Sequence, residues 1–295
     1  MNAIILGADI GGSHITTALI NSNTRQVLTN SITRIRVDAS GSLSDITETW
    51  GSAIRTSWSA ASLPTTKVGI AMPGPFDYEN GICLIKEQEK YRSLYGINVK
   101  NLLAQQLAIP ADHIKFINDA AAFLEGEVYM GSLKNNRNSM GITLGTGLGS
   151  ASYINNECVD AGLWNMPFRD GIAEDYISSR WFINEYKART GNDISGVQEL
   201  ADLYESDKRI AGLFAAFGKN LGHFIELMIG RFDHNSIVIG GNISKAARFF
   251  LPHTEEYLYN QVVPADIKIS SLGEHAAMIG AMASFDKLTV KKPAA

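Results

Sequence analysis

The sequence predicts a mixed α/β protein of two lobes built by duplication, each lobe a mixed β-sheet flanked by helices. Three observations predict it. A glycine-rich strand–turn–strand segment occurs twice, at residues 7–20 and 141–154. Strand-length apolar runs alternate with helical periodicity through each half. No low-complexity linker divides the halves, and the antiparallel hairpins make each sheet mixed. With 295 residues, 45% of them hydrophobic, each lobe can bury its own core.

Residues 3–8 and 15–20 read as paired strands, with 26–28 and 31–37 as further members of the first sheet. Leu43, Ile46, Trp50, Ile54 and Trp58 recur at three- and four-residue steps and mark a helix, with Asp45 near its start and Pro64 beyond its end. Residues 67–72 form an apolar strand stopped by Pro73-Gly74-Pro75. Val99, Leu102, Leu103 and Leu107 give a second helix before Pro110, and 114–117 is a strand running into Asn118-Asp119. A helix of small and apolar residues at 120–130 leads to the second hairpin. Residues 172–189, 197–205 and 207–232 read as helices. The strand at 236–241 ends in Gly240-Gly241, and helices at 244–260 and 274–286 flank a strand at 267–269. The expected lobes are 1–118, with a carboxyl-terminal helix at 274–290 packing back on it, and 119–273. The tail at 291–295 reads as disordered.

Composition removes several classes of function. The formal charge of −4, without a long run of like charges, gives no support for a nucleic-acid surface. Cys83 and Cys158 are the only cysteines, too few for a disulfide framework or a cysteine metal site. The start lacks the pattern of an export signal, and no apolar run reaches the roughly 18–20 residues of a membrane span. A cytoplasmic protein with no membrane partner is the expectation.

The two glycine turns carry the chemistry. Glycines let backbone N–H groups approach a phosphate without an intervening side chain. Gly11, Gly12 and Ser13 in the first turn, and Thr146 and Gly147 in the second, are the candidate phosphate contacts, holding a nucleotide from both sides of a cleft. Asp9 can reach Mg²⁺ directly or through water. Either turn alone is an ordinary hairpin. Neither is a Walker loop, because no Gly-Lys-Ser/Thr follows, and neither opens a helix as a dinucleotide fingerprint does. Gly240, Gly241 and Asn242 stand where a base or ribose can approach the backbone, with Ser244 as a helix cap. Asp119 is the candidate base toward an attacking hydroxyl, and Asn118 can hold neighbouring hydroxyls. Capping of the helix at 120–130 is the alternative role for Asp119. Gly74 shapes the rim, and Glu174, early in a helix, can accept a sugar hydroxyl. Glu125 and Glu127 read as solvated or structural. Tyr91, Tyr95, Trp164 and Trp181 are candidates for an apolar wall, and packing is the alternative for each.

Taken together, Asp9-Ile10-Gly11-Gly12-Ser13, residues 69–75, Asn118-Asp119, residues 144–149 and Ile239-Gly240-Gly241-Asn242 resemble the ROK family of sugar kinases and repressors, within the actin/hexokinase-like superfamily. The resemblance implies an actin-like, ribonuclease H-like duplicated fold around a central cleft that closes on ATP and a sugar. It implies transfer of the γ-phosphoryl group to a hexose or N-acetylhexosamine hydroxyl, usually the 6-hydroxyl. Asp119 falls at the family's base, Asn118 at a sugar ligand and Glu174 at a sugar-contacting glutamate. A homodimer is implied by the resemblance alone. The chain starts at the first hairpin, so a DNA-binding domain like that of the repressors is not expected. It also departs from the kinases. Leu163 stands near the first glutamate of their Glu-x-Gly-His element, the histidine is missing, and Cys158 lacks the partners of their zinc loop. No zinc is therefore expected. A sugar- or nucleotide-sensing protein of weak activity is the alternative.

Overall fold

The structure, a computed structural model, describes residues 4–60, 65–86, 90–155 and 157–285. The expectations for Ala3, Pro64 and residues 286–295 lie outside them. The chain divides into two compact units, Met1–Met130 with the segment from His275, and Gly131–Glu274.

In chain order the first unit contains β1 (Ile4–Ile10), β2 (His14–Asn21), β3 (Gln26–Val27), β4 (Thr33–Arg36), α1 (Leu43–Ser59), β5 (Val68–Met72), β6 (Phe76–Asp77), β7 (Ile82–Cys83), α2 (Val99–Leu107), β8 (Ile114–Asn118) and α3 (Asp119–Tyr129). The second contains β9 (Ser139–Leu144), β10 (Leu148–Ile154), β11 (Glu157–Asp160), β12 (Pro167–Phe168), β13 (Gly171–Ile172), α4 (Ala173–Tyr176), α5 (Ser179–Thr190), α6 (Val197–Asp202), α7 (Lys208–Phe232), β14 (Ser236–Gly240), α8 (Ala247–Asn260) and β15 (Asp266–Ile269). The chain then returns to the first unit as α9 (Ala276–Ala283).

Each unit carries the same sheet. The first runs β3-β2-β1-β5-β8, with β4 also paired to β2, and the second runs β11-β10-β9-β14-β15. In both, the hairpin is antiparallel and the strands on its other side are parallel to its first strand. This is the mixed α/β class expected.

Local chemistry sets the boundaries. α1 begins at Ser42, whose Oγ accepts from Asp45 N at 3.2 Å and donates to Asp45 Oδ2 at 2.6 Å, a cap worth about 1 kcal/mol. Its inner face buries Ile46, Trp50, Ala53 and Ile54, the helical period of the apolar residues. Asn98 caps α2 through Asn101 N at 2.9 Å, and Asp207 caps α7 through Arg209 N at 2.9 Å. α9 lies against α3, β1 and β5, where Ala71, Ala122 and Ala281 keep the layers close. The second core is aromatic, built on Phe182, Phe214, Phe217, Phe224 and Phe250.

Three expectations are corrected. The strand read at 31–37 is shortened to β4 because Thr29–Ser31 form a 3₁₀ turn. The helix read at 172–189 is broken into α4 and α5. At the break Ser179 N donates to Gly145 O at 2.8 Å instead of continuing a helical ladder. Ser244 is not a cap; it sits inside the 3₁₀ segment Asn242–Ala246 and its hydroxyl donates to Gly241 O at 2.7 Å. Glu125 and Glu127 are structural, both buried in α3.

Candidate active site

Three parallel strands of the first unit end side by side. Asp9 of β1 is in register with Ala71 of β5, Ala71 with Ile117 of β8, and Met72 with Asn118. Two strand spacings, about 10 Å, separate the β1 and β8 positions. The first glycine turn, Pro73-Gly74-Pro75 and Asn118-Asp119 therefore leave the sheet at one carboxyl edge, where open α/β sheets bind ligands.

Asn118 is buried and caps α3: its Oδ1 accepts from Ala121 N at 3.0 Å. Its Nδ2 donates to the Tyr78 hydroxyl at 3.2 Å, which donates in turn to Met72 O at 3.1 Å. Tyr78 thus ties the end of β5 to the end of β8, and its hydroxyl lies 3.1 Å from where a Cβ on Gly74 would stand. Asp119, the next residue, is exposed, and its Oδ1 accepts from Ala120 N at 2.9 Å. The two capping roles are split. Asn118 supplies the long-range cap, and the Asp119 carboxylate stays at the surface of the edge.

In the first turn Gly11 N donates to His14 O at 2.9 Å, and Ser13 Oγ pairs with His14 Nδ1 at 2.9 Å. Among the described residues the N–H groups of Gly12 and Ser13 make no backbone hydrogen bond. The half-buried Asp9 closes the strand before them. Tyr91 holds the turn from outside: its ring is buried, and its hydroxyl donates to Gly11 O at 2.5 Å. Burial, then the charge of Asp9, push the Tyr91 phenol above the ordinary tyrosine range.

The second unit repeats the arrangement with different supports. Gly145 N donates to Gly147 O at 3.0 Å, and Thr146 and Gly147 donate no backbone bond among the described residues. Glu174 braces this turn. Its Oε2 accepts from Leu148 N at 2.9 Å and lies 2.6 Å from where a Cβ on Gly147 would stand, while its Oε1 is bound by Arg180. The parallel neighbour β14 brings Gly240 into register with Thr143. Gly241 follows at φ +84°, and a Cβ there would fall 2.3 Å from Leu144 O, so only glycine fits. Thr146 and Asn242 share the wall of a cavity of about 490 Å³ in this unit, with Gly196, Glu199, Lys245 and Arg248. The α6 face of that cavity was not foreseen from sequence. Its local signal is Ser195-Gly196 ahead of a helix, too common to single out.

Where the kinases' zinc loop would fall, β12 and β13 close a short hairpin. Phe168 there packs on His223, with ring centroids 4.9 Å apart, and on Tyr176 at 5.6 Å. Cys158 is buried on β11, and Cys83 is buried in the first unit. Leu163, near the family's first glutamate position, is in the core of the second unit, its N–H donating to Ser150 Oγ at 3.0 Å. Among the described residues no group of three or more His, Cys, Asp or Glu side chains converges as a metal cage. A single carboxylate such as that of Asp9 suits an ion that arrives already held by phosphates. Tyr95 and Trp164 are exposed, and Trp181 is packed in the second core. No helix among the described residues is long and apolar enough to cross a membrane.

The ROK family model matches residues 5–162 and 169–287. A beta-glucoside kinase of Klebsiella pneumoniae is 24% identical over 250 residues, covering 79% of this chain and 82% of its own. The DNA-binding transcriptional repressor Mlc of Escherichia coli is 20% identical over 225 residues, 68% of this chain and 54% of its own. The crystal structure of a ROK family glucokinase from Streptomyces griseus, in complex with glucose and AMPPNP, superposes with a TM-score of 0.77 at 18% identity, covering 95% of this chain and 98% of that one. The duplicated, two-lobed actin-like fold is thereby shared.

Proposed function

The chain belongs to the ROK family, and on that premise we propose that it is an ATP-dependent sugar kinase acting on a hexose or an N-acetylhexosamine. The observation that carries the reading is the shared carboxyl edge of β1, β5 and β8, which gathers Asp9, the first glycine turn, Gly74, Asn118 and Asp119. In the proposed step the Asp119 carboxylate takes the proton of the attacking sugar hydroxyl. That hydroxyl oxygen bonds to the γ-phosphorus, and the bond to the β,γ-bridging oxygen breaks with its electron pair leaving on ADP. Asn118 positions the sugar through the amide hydrogen that Tyr78 does not take. Backbone N–H groups of Gly12, Ser13, Thr146 and Gly147 bind phosphate oxygens, and the cavity beside Asn242, Gly240 and Gly241 takes the nucleoside. Mg²⁺, when bound with the nucleotide, supplies charge neutralisation, and Asp9 is the residue suited to hold it. Glu174 acts on the sugar side only from its place against the second turn.

A second reading, a sensor that binds without turnover, is favoured by one observation. Leu163 turns into the core where the kinases have a glutamate. An ADP-release assay over a panel of hexoses and N-acetylhexosamines separates the two. Turnover on at least one sugar that Asp119→Asn abolishes supports the kinase; binding of sugar and nucleotide without turnover across the panel supports the sensor.

A further inference from the structure

We propose that Lys90 is a second catalytic residue of the first unit, a cation that contacts the terminal phosphoryl group of ATP during transfer. The inference rests on the kinase reading and deepens it. A Cβ on Gly12 would fall 2.5 Å from Lys90 Nζ, 2.7 Å from Cδ and 2.8 Å from Cε. The lysine therefore lies along the first glycine turn, and the missing side chain at position 12 leaves it that path.

The backbone behind the lysine is fixed. Tyr91 sits at φ +60°, in the left-handed region that an aromatic residue rarely adopts. Three contacts hold it there: its N–H donates to Ala39 O at 2.7 Å, its hydroxyl donates to Gly11 O, and its buried ring packs on Trp50 with centroids 5.4 Å apart. Strain held in place by surrounding contacts is a device of functional sites. What this clamp delivers to the turn is the ammonium of the preceding residue.

A cation and backbone donors gather at the turn, beside the Asp9 carboxylate. Lys187, Lys245 and Lys268 each pair with a carboxylate, whereas Lys90 makes no ion pair among the described residues. In the same turn the N–H groups of Gly12 and Ser13 make no backbone bond among the described residues. A cation lying along a turn with such donors suits an anion that both can reach. On this turn, next to Asp9, that anion is the phosphoryl group in flight. Lys90 forms no covalent bond and stabilises the charge spread over the transferring oxygens.

The test is Lys90→Met, which keeps the apolar stem and removes the charge, with Lys90→Arg alongside and thermal melts to confirm folding. Loss of a preorganised charge at transferring oxygens lowers kcat on the order of 10²–10³-fold, with sugar KM changed by less than about threefold. Lys90→Arg is expected to recover part of kcat. Calorimetry with AMPPNP and ADP gives an independent readout: Lys90→Met is expected to weaken AMPPNP and leave ADP unchanged. Equal weakening of both nucleotides, or unchanged kcat and AMPPNP affinity, overturns the proposal while Asp119→Asn still tests the kinase reading. If no sugar is turned over by the unsubstituted protein, the kinase reading fails, and the nucleotide comparison alone decides whether Lys90 senses the terminal phosphate.

Discussion

The two units have one sheet between them in pattern and two different sites in chemistry. Both set an antiparallel hairpin beside two parallel strands, and in both the glycine turn at the hairpin's tip has N–H groups that make no backbone bond among the described residues. In the first unit the outer parallel strand β8 runs into an exposed carboxylate, Asp119 at the start of α3, and the turn is held from outside by Tyr91. In the second, the inner parallel strand β14, the counterpart of β5, ends in glycine, and the turn is braced by a carboxylate, Glu174, that is already engaged with Leu148 N and Arg180. Duplication thus supplies the same backbone cradle twice. On the proposed reading, the charged groups placed on it divide the labour between chemistry in the first unit and nucleotide holding in the second.

That division can be broken by substitution. Asp119→Asn is expected to lower kcat by about 10³-fold, the range of a lost general base, with AMPPNP affinity unchanged by calorimetry. Asp9→Asn is expected to lower kcat/KM by about 10²-fold and to raise the Mg²⁺ concentration needed for half-maximal rate. Glu174→Ala removes the brace from Leu148 N and is expected to raise the KM for ATP about tenfold, the worth of one charge-assisted bond, with a smaller change in kcat. Equal kcat losses for Asp119 and Glu174 variants would mean that the units do not divide the work as argued.

Smaller effects sharpen the same contrast. Tyr91→Phe deletes the hydroxyl bond to Gly11 O and is expected to lower stability by about 1 kcal/mol in denaturant titration. A phenol pushed above its ordinary value binds its proton more tightly folded than unfolded. Its contribution is fully present below the unfolded tyrosine pKa of about 10 and is lost as pH rises beyond it. Tyr91→Phe should therefore flatten the alkaline fall in stability; an unchanged alkaline limb would show that Tyr91 is not the group responsible.

Legibility from sequence followed the range of the interactions. The hairpins, the α1 and α2 periodicities and the strand into Asn118-Asp119 are set by local pattern, and they fold within a residue or two of expectation. The α4–α5 break was not legible, because the acceptor that Ser179 N prefers, Gly145 O, is distant in sequence. Tyr91 shows the same limit: its partners Gly11 and Trp50 belong to other elements, and nothing near it in sequence marks its role. Lys90 reads as one charge in a charged run until Gly12 is seen beneath it. The cavity of the second unit was half legible, through Thr146 and Asn242; its α6 wall is assembled only in three dimensions.

The most direct measurement is phosphorus NMR of the unsubstituted protein and of Asp119→Asn, each incubated with ATP, Mg²⁺ and the sugar panel. The expected result is a sugar phosphate-ester resonance that grows in step with ADP in the unsubstituted protein and is absent in Asp119→Asn. Ester formation that survives in Asp119→Asn, or ADP and inorganic phosphate alone with every sugar, would contradict the assignment.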